Sequence, residues 1–318
     1  MDQPEWIPAQ LRASAFSVQA AAQLGIGRAR RDSRHFDRPF FGVRNAAPPD
    51  SVVEQARSYL PRMKPAQAFA GVTGLRLLGL PWQQRWSSRE TLEIAVPGNR
   101  YAPKSRGVRG HRIAEHRFET VELDGLRVLT PLAAVLDVAD RLELAQLVGL
   151  MDAVLTPSEW YPGLRWRPMC TSLAELEEYV RSWHLAAPRA RALAALPYVQ
   201  IGVDSYWESL TRMAFVQAGF PEPVIQHPVS TSIGVCRVDA AWPDFRCAAE
   251  YEGEHHRTDG RQWEQDIRRF EALVAAGWTP IRVTKSDLRP EALGSLLQRV
   301  SSALRNAGWR PGRRPDVR

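Results

Sequence analysis

Three carboxylates fall within one short stretch of this sequence. Asp239 lies in one apolar run, and Glu250 and Glu252 come at the end of the next. Pro243 and Asp244 stand between the two runs and are typical turn residues, so the stretch predicts a β-hairpin. Neighbouring carboxylates repel one another, and oxygen-rich clusters suit Mg²⁺ or Mn²⁺. The stretch therefore indicates either a metal site or a polar sheet face that is simply solvated.

The side-chain alternation of the two runs decides which carboxylates share a face. A strand has a period of two, so Glu250 and Glu252 point to one face and Tyr251 to the other. In the first run, Asp239 is expected opposite the larger apolar side chains. Those apolar side chains are Val238, Ala240 and Trp242.

A set of regular elements surrounds this hairpin and must position it. The spacing of Ser205 and Glu208 has the S-x-x-E form of a capping box, which predicts a helix that ends at Gly219. The C-terminal region as a whole, residues 202–310, is predicted to follow the order α-β-β-β-α-β-α. Outside the hairpin, the predicted segments are a strand at 224–229, a helix from 262 to 276, a strand at 279–283 and a helix at 290–307.

The first 45 residues predict a helix-turn-helix unit with a winged-helix-like arrangement. A first helix is broken at Gly25, a second short helix covers 28–34, and 38–44 is a strand or hairpin in the place of a wing. The second helix either contacts DNA phosphates or presents a solvated basic face. Its arginines are Arg28, Arg30, Arg31 and Arg34.

Between these regions the pattern is mixed. Residues 50–155 predict an α/β domain, and 156–201 predict a helical connector. A basic stretch at 109–117, with His111 and His116, either touches nucleic acid or forms an exposed strand edge.

The composition of the chain limits which classes of protein it can belong to. The 318 residues carry a formal charge of +7, almost all of the positive charge being arginine, which permits a polyanionic partner without requiring one. The three cysteines show no C-x-x-C spacing, so neither a disulfide framework nor a zinc site is indicated. No apolar run approaches the roughly 20 residues that span a bilayer, and the start lacks a signal-peptide layout. We therefore expect a cytoplasmic protein with no membrane partner.

Several motifs in order give the last third of the chain a specific resemblance. It resembles the Vsr-like (very-short-patch-repair endonuclease-like) domain of the PD-(D/E)xK nuclease superfamily. Members show an S-x-x-E helix, R-x-D-x-x-W-P, E-Y-D-G-x-x-H-R, D-x-x-R-x-x-x-L-x-x-x-G-W and R-V-T. Here these motifs are Ser205 to Glu208, Arg237 to Pro243, Glu250 to Arg257, Asp266 to Trp278 and Arg282 to Thr284.

The resemblance implies a fold and roles for the matching residues. The fold would be a restriction-endonuclease-like α-β-β-β-α-β core. Asp239 and Glu250 would ligate Mg²⁺ or Mn²⁺, and Glu208 would either join them or serve only as a helix cap. His256 would act as general base or stabilise the scissile phosphate. Arg257 and Arg269 would contact DNA, although Arg269 could instead pair with Asp266.

Two positions depart from the family pattern. Glu252 replaces the usual aspartate, and it stands where typical superfamily nucleases carry the lysine that activates water. Lys285 is the only lysine of this region, and it either substitutes from a shifted position or is solvated.

The first 155 residues have a looser resemblance to AbiEi-type antitoxins of type IV toxin–antitoxin systems. The likeness is carried by S-V-Q-A-A-A-Q-L-G-I, R-P-F-F-G-V-R and L-T-P-L-A-A-V-L-D-V-A. It implies a winged helix-turn-helix before an α/β domain, with a cognate toxin or a second copy as partner.

Two functions follow for this α/β multidomain chain. One is a Mg²⁺-dependent DNA endonuclease acting in repair or defence. The other is a non-catalytic, antitoxin-type DNA-binding regulator that carries a degenerate nuclease domain.

Overall fold

The chain folds as two compact units. The computed structural model describes residues 11, 15–159, 161–165, 172–184, 187–253 and 260–311, the last range without side chains at 260–263. Unit 1 contains residues 1–142 and 163–193, and unit 2 contains 143–162 and 194–318. The chain therefore contributes to each unit twice.

Helices occur in both units. In chain order they are α1 Val18–Gln23, α2 Arg28–Arg31, α3 Val52–Tyr59, α4 Gly71–Leu78, α5 Pro131–Val138, α6 Leu144–Leu155, α7 Leu173–Ser182, α8 Ala187–Ala195, α9 Tyr206–Gln217, α10 Gly260–Ala275 and α11 Pro290–Asn306.

The strands form three sheets. In chain order they are β1 Phe16–Ser17, β2 Val43–Arg44, β3 Ala68–Phe69, β4 Leu92–Pro97, β5 Lys104–Ser105, β6 Val108–Ile113, β7 Thr120–Leu123, β8 Leu126–Leu129, β9 Val224–Thr231, β10 Gly234–Trp242, β11 Cys247–Glu252 and β12 Thr279–Thr284. The class is therefore mixed α/β, as predicted.

A six-stranded sheet organises unit 1, in the order β5-β6-β4-β3-β8-β7. Strand β4 is parallel to β6 and antiparallel to β3, and every one of its residues is buried. A strand that is buried at every position is expected at the centre of a sheet that is covered on both faces.

The N-terminal helices are shorter than the sequence predicts. Ser17 caps α1 by accepting a hydrogen bond from the Ala20 N–H, and Gly25 adopts a left-handed conformation (φ 75°) just after its end. The second helix, expected over 28–34, ends at Arg31, and the expected strand is reduced to β2, which pairs with β1. A small apolar cluster holds these elements together: Leu11, Phe16, Ala21, Ile26 and Phe36.

Unit 2 is organised by a four-stranded sheet in the order β12-β11-β10-β9. Strands β11 and β12 are parallel, and the other two pairings are antiparallel. From α9 onward the elements follow the predicted order α-β-β-β-α-β-α. The hairpin turn at Pro243–Phe245 is a short 3₁₀ turn, and Arg246 after it has a left-handed φ of 47°.

Apolar clusters cover both faces of this sheet, and they show that the alternation of β10 is interrupted. Val238 packs in the cluster that includes Leu273 of α10, whereas Ala240 and Trp242 pack in the cluster that includes residues of α9 and α11. We predicted these three apolar side chains on one face, and this was wrong. Strict period two fails at Asp239, which lies between the two apolar sets.

The partner strand is also irregular at this point. The β9–β10 register pairs Val238 with His227 and Ala240 with Ile225, which places Gln226 opposite Asp239. Gln226 has a φ of 49°, an unusual value for a residue that is not glycine. The local distortion of both strands accounts for the change of face.

Helices α6 and α9 pack closely in unit 2. A Cβ at Gly149 would lie 2.7 Å from ring atoms of Tyr206, so only glycine fits this crossing. Beside it, the buried Asp152 accepts hydrogen bonds from Ser209 Oγ (2.7 Å) and Arg212 Nη2 (3.1 Å). Over the described residues, no helix is long and apolar enough to cross a membrane.

Candidate functional site

Adjoining elements of unit 2 bring three of the predicted carboxylates together. Glu208 lies in the first turn of α9, Asp239 on β10 and Glu250 on β11. The β10–β11 register pairs Ala240 with Ala249 and so places Asp239 opposite Glu250. These three residues form what we call the carboxylate site.

The backbone of β11 fixes the orientation of Asp239. The Tyr251 N–H donates a hydrogen bond of 2.7 Å to Asp239 Oδ2. Burial, and then the negative charges of Glu208 and Glu250, nevertheless hold the pKa of the Asp239 carboxyl well above its usual range. The ionised forms of Asp239, Glu208 and Glu250 therefore repel one another, and a nearby positive charge would favour them.

Glu208 has both a capping role and an electrostatic one. Its backbone N–H donates to the N-cap Ser205 Oγ (3.2 Å), and its Oε2 accepts from the N–H of Asp204, the residue before the cap (3.2 Å), so only the Ser205 half of the predicted capping box forms. Burial raises the pKa of Glu208 to about 7. Glu208 therefore contacts the backbone at the start of α9 and also has a carboxyl that can carry a proton near neutral pH.

A cation from helix α10 already contacts Glu250. Arg269 Nη2 lies 2.5 Å and its Nε 3.0 Å from Glu250 Oε1. Arg269 also donates to the carbonyl of Arg237. The sequence suggested pairing with Asp266 or contact with a phosphate, and neither alternative named Glu250.

The main contact of Glu252 is an ion pair with an arginine outside the carboxylate site. Its Oε1 accepts from Arg282 Nε on the neighbouring strand β12 at 2.9 Å, and both side chains are about two-fifths exposed. Arg282 also lies over the Phe270 ring at 4.8 Å. The residue in the family's lysine position is therefore an acid held by an arginine.

Sequence reasoning missed a polar bridge at the edge of the site. Gln226 donates through Nε2 to Glu208 Oε2 (2.7 Å) and accepts through Oε1 from Arg237 (2.8 Å). Arg237 belonged to a quoted motif, but nothing in the sequence marks Gln226. Its left-handed backbone opposite Asp239 is visible only in the fold.

The lysine of unit 2 lies near the carboxylate strand. The Lys285 ammonium is 5.1 Å from the centre of the Trp207 ring, and Trp207 stacks on Tyr251 at 6.0 Å. Trp207 precedes Glu208, and Tyr251 follows Glu250, so this cation–π contact adjoins the carboxylate site.

Other predicted residues lie elsewhere. His256 and Arg257 are outside the described residues. The four N-terminal arginines belong to unit 1, where Arg28, Arg30 and Arg34 are exposed while Arg31 donates to the Val18 carbonyl at 2.9 Å. Arg31 therefore has a structural contact in addition to any role at a phosphate.

The donor set can be compared with what a divalent cation requires. Among the side chains that the structure describes, no group of three or more His, Cys, Asp or Glu residues is arranged to hold a metal ion. Mg²⁺, however, commonly uses only one or two carboxylates and takes its remaining ligands from water and substrate phosphate. Asp239 and Glu250 are oxygen donors of this kind, and burial and the neighbouring carboxylates destabilise the anionic form of Asp239. The residues fit, provided that Glu250 is shared with or released by Arg269.

Comparison with known proteins gives two relatives, both from Mycobacterium tuberculosis. The chain is 27% identical over 274 residues to Uncharacterized protein Rv2248 of strain H37Rv and to Uncharacterized protein MT2308 of strain CDC 1551. The match covers 85% of this chain and 93% of each relative. No family model matches the chain, and no solved structure matches it significantly.

Proposed function

We propose that unit 2 is a Mg²⁺- or Mn²⁺-dependent DNA endonuclease of the Vsr-like, PD-(D/E)xK type. The observation that carries the proposal is the approach of Asp239 to Glu208 and Glu250, from three different elements of an α-β-β-β-α-β-α unit. The element order supports the proposal, since the motif resemblance implies an α-β-β-β-α-β core.

The residues divide the task as follows. Asp239, oriented by the Tyr251 N–H, and Glu250 would hold the cation, which when bound supplies charge to the scissile phosphate and lowers the pKa of water. Glu208 would hold or release a proton beside it. Arg269 pairs with Glu250, and its guanidinium would be available to a phosphate oxygen if Glu250 were shared with a metal ion.

Plasmid cleavage tests the proposal. Purified protein is incubated with supercoiled DNA in Mg²⁺, in Mn²⁺ and in a chelator, and nicked and linear products are measured. The parent should cut only with metal, and Asp239→Asn should cut on the order of a hundredfold more slowly or not at all. The asparagine keeps the acceptor for the Tyr251 N–H, so the fold should survive.

A matched variant controls for the loss of one acid. Asp244 lies exposed in the turn of the same hairpin, and Asp244→Asn should cut like the parent. Cutting by Asp239→Asn at the parental rate would show that the site is misplaced.

A second function is favoured by one specific observation. Arg269 and Arg282 pair with Glu250 and Glu252, and these arginines would compete with a metal ion for the two carboxylates. The protein would then be a DNA-binding regulator of the antitoxin type. Specific binding to the promoter of its own gene in a gel-shift assay, with no cutting in either metal, would favour this function.

A further inference from the structure

Unit 1 contains a cavity of about 400 Å³ with a basic lining. It lies between strand β6, the turn that follows it, the end of α5, and the α7–α8 region. We call it the arginine groove. The side chains that carry the argument are Arg109, His111, Arg112, Arg117, Arg141 and Trp183.

A buried carboxylate holds two of these arginines in place. Glu93, on the central strand β4, is 6% exposed. Its Oε2 accepts from Arg109 Nη2 and from Arg141 Nη1, each at 2.8 Å. Because one carboxylate serves two guanidiniums, a net positive charge remains at fixed positions.

The neighbouring backbone is shaped around Glu93. Gly71 has a φ of 54°, and a Cβ there would lie 2.3 Å from Glu93 Oε2, so a larger residue would displace the carboxylate. The Gly71 N–H donates to Asp137 Oδ2 at 2.8 Å. Glycine at this position thus lets the backbone approach both acids that support the groove.

Two buried polar atoms of the groove have no hydrogen-bond partner among the described residues. They are His111 Nδ1 and Arg117 Nε. The other ring nitrogen of His111 faces Asp137 Oδ1 at 2.7 Å, which fixes the ring. Buried polar atoms without partners are rare and costly. Both atoms lie beneath the surface of the groove, so a ligand would meet the exposed guanidinium donors of the lining rather than these atoms.

An aromatic ring supports a third arginine. The Arg117 guanidinium lies 5.4 Å from the centre of the buried Trp183 ring and donates to the His184 carbonyl. Arg112 donates through Nε to the Arg100 carbonyl at 3.2 Å and is otherwise exposed. Each guanidinium has five N–H donors, so both retain donors for a ligand.

The charge and the volume of the arginine groove together indicate the chemical class of its ligand. The four guanidiniums outnumber the three carboxylates of the groove, Glu93, Asp137 and Asp140, by one charge before His111 is counted. Arginines in fixed positions favour the geometry of phosphate oxygens, and about 400 Å³ is room for a small organic ligand rather than for a bare ion. We propose that the arginine groove binds a phosphate group carried by a ligand of nucleotide size.

Calorimetric titration of the full-length protein tests this proposal. The probes are inorganic phosphate, adenosine 5′-monophosphate and a ten-nucleotide single-stranded DNA, at matched ionic strength and in chelator so that no DNA is consumed. Arg112→Gln and Arg117→Gln should each weaken binding about tenfold or more, because a charge-assisted hydrogen bond is lost. Arg57→Gln, an exposed arginine on α3, should leave the affinity unchanged.

The three probes identify the source of the phosphate. If the parent binds the mononucleotide and the groove variants do not, the natural ligand is a free nucleotide. If the parent binds only the oligonucleotide, the ligand is a phosphate of a nucleic acid. The proposal is overturned if the parent binds no probe at millimolar concentration, or if the groove variants bind as tightly as the parent. If Arg117→Gln fails to fold, the exposed Arg112→Gln carries the test, with Arg112→Lys expected to recover part of the affinity.

Discussion

At the scale of single residues, the carboxylate site brings three acids close together, and Arg269 is the cation that the described residues place on one of them. Arg269 lies on Glu250, while Asp239 receives only a backbone N–H among the contacts found in the described structure. Burying an anion beside other anions is unfavourable, and the raised pKa of Asp239 expresses that cost. Such perturbed groups concentrate at functional sites, although ion pairs that only stabilise a fold can produce them too.

Glu208 makes this cost measurable as a dependence of stability on pH. Its pKa rises from 4.5 to about 7 on folding, so the folded protein holds a proton that the unfolded chain has lost between these values. The contribution of this protonated carboxyl to the free energy of unfolding is therefore fully present below pH 4.5, and it is lost as the pH rises to about 7. Glutamine cannot ionise. The free energy of unfolding of Glu208→Gln minus that of the parent should therefore be higher at pH 8 than at pH 5, by on the order of 2–3 kcal/mol.

Urea denaturation at the two pH values checks this prediction. Glutamine keeps an acceptor for the Asp204 N–H, and Ser205 still caps the helix, so helix α9 should remain intact. Glu271→Gln, at an exposed position of α10, is the control and should behave alike at both pH values. An equal effect of Glu208→Gln at pH 5 and pH 8 would contradict the pKa assignment.

At the scale of elements, the site depends on an irregular point in two strands. The alternation of β10 changes face at Asp239, and Gln226 opposite it has a left-handed backbone. Irregularities of this kind re-aim a side chain near functional sites. Here the side chain of Gln226 links Glu208 to Arg237, so the distortion and the polar bridge occur at the same place.

Helix α9 is positioned by its contact with α6, and this contact depends on Gly149. Gly149→Ala would place a Cβ 2.7 Å from the Tyr206 ring and should destabilise the protein by about 1–3 kcal/mol. Gly294, within helix α11, is a matched control because a Cβ there meets nothing within 4 Å. Gly294→Ala should stabilise by about 0.5–1 kcal/mol.

Thermal and urea unfolding of both variants provide the measurement. Because Tyr206 and Glu208 belong to the same first turn of α9, Gly149→Ala should also impair any metal-dependent cutting. A Gly149→Ala protein as stable as the parent would mean that α6 and α9 can separate without cost.

At the scale of the whole molecule, unit 1 carries two basic features, the arginine groove and the N-terminal arginines. The N-terminal arginines Arg28 and Arg34 are exposed in unit 1, and the side chain of Arg28 is 90% exposed. If they contact DNA phosphates, Arg28→Gln/Arg34→Gln should weaken DNA binding uniformly across sequences and reduce the slope of log K against log salt by about 1.8. Arg31 is left in place because it donates to the Val18 carbonyl.

Fluorescence anisotropy at several salt concentrations measures both quantities. Arg57→Gln/Arg89→Gln removes the same charge from exposed positions of unit 1 outside this segment and should leave the slope near that of the parent. Equal slopes for both double variants would place the DNA contacts elsewhere.

Local periodicity and capping allowed much of the fold to be predicted. The order of elements in unit 2 and the hairpin around Pro243 follow from runs of apolar residues and from turn and cap residues. These patterns depend on residues that are close together in the chain, so the elements that they predict can be inferred from the sequence without a structure. The short helix α2, which ends at Arg31 instead of Arg34, shows their usual error at element boundaries.

The apolar runs and turn residues of the sequence predicted a hairpin that carries Asp239 and Glu250, whereas the approach of Glu208 was expected only from the motif resemblance. Only the tertiary structure decided which cation meets which acid, since Arg269 reaches Glu250 from α10, and Arg282 reaches Glu252 from β12. It likewise decided that Glu93 gathers two arginines in the groove of unit 1. The physical reason is that such contacts join residues far apart in the chain, and their partners are fixed by packing rather than by local spacing.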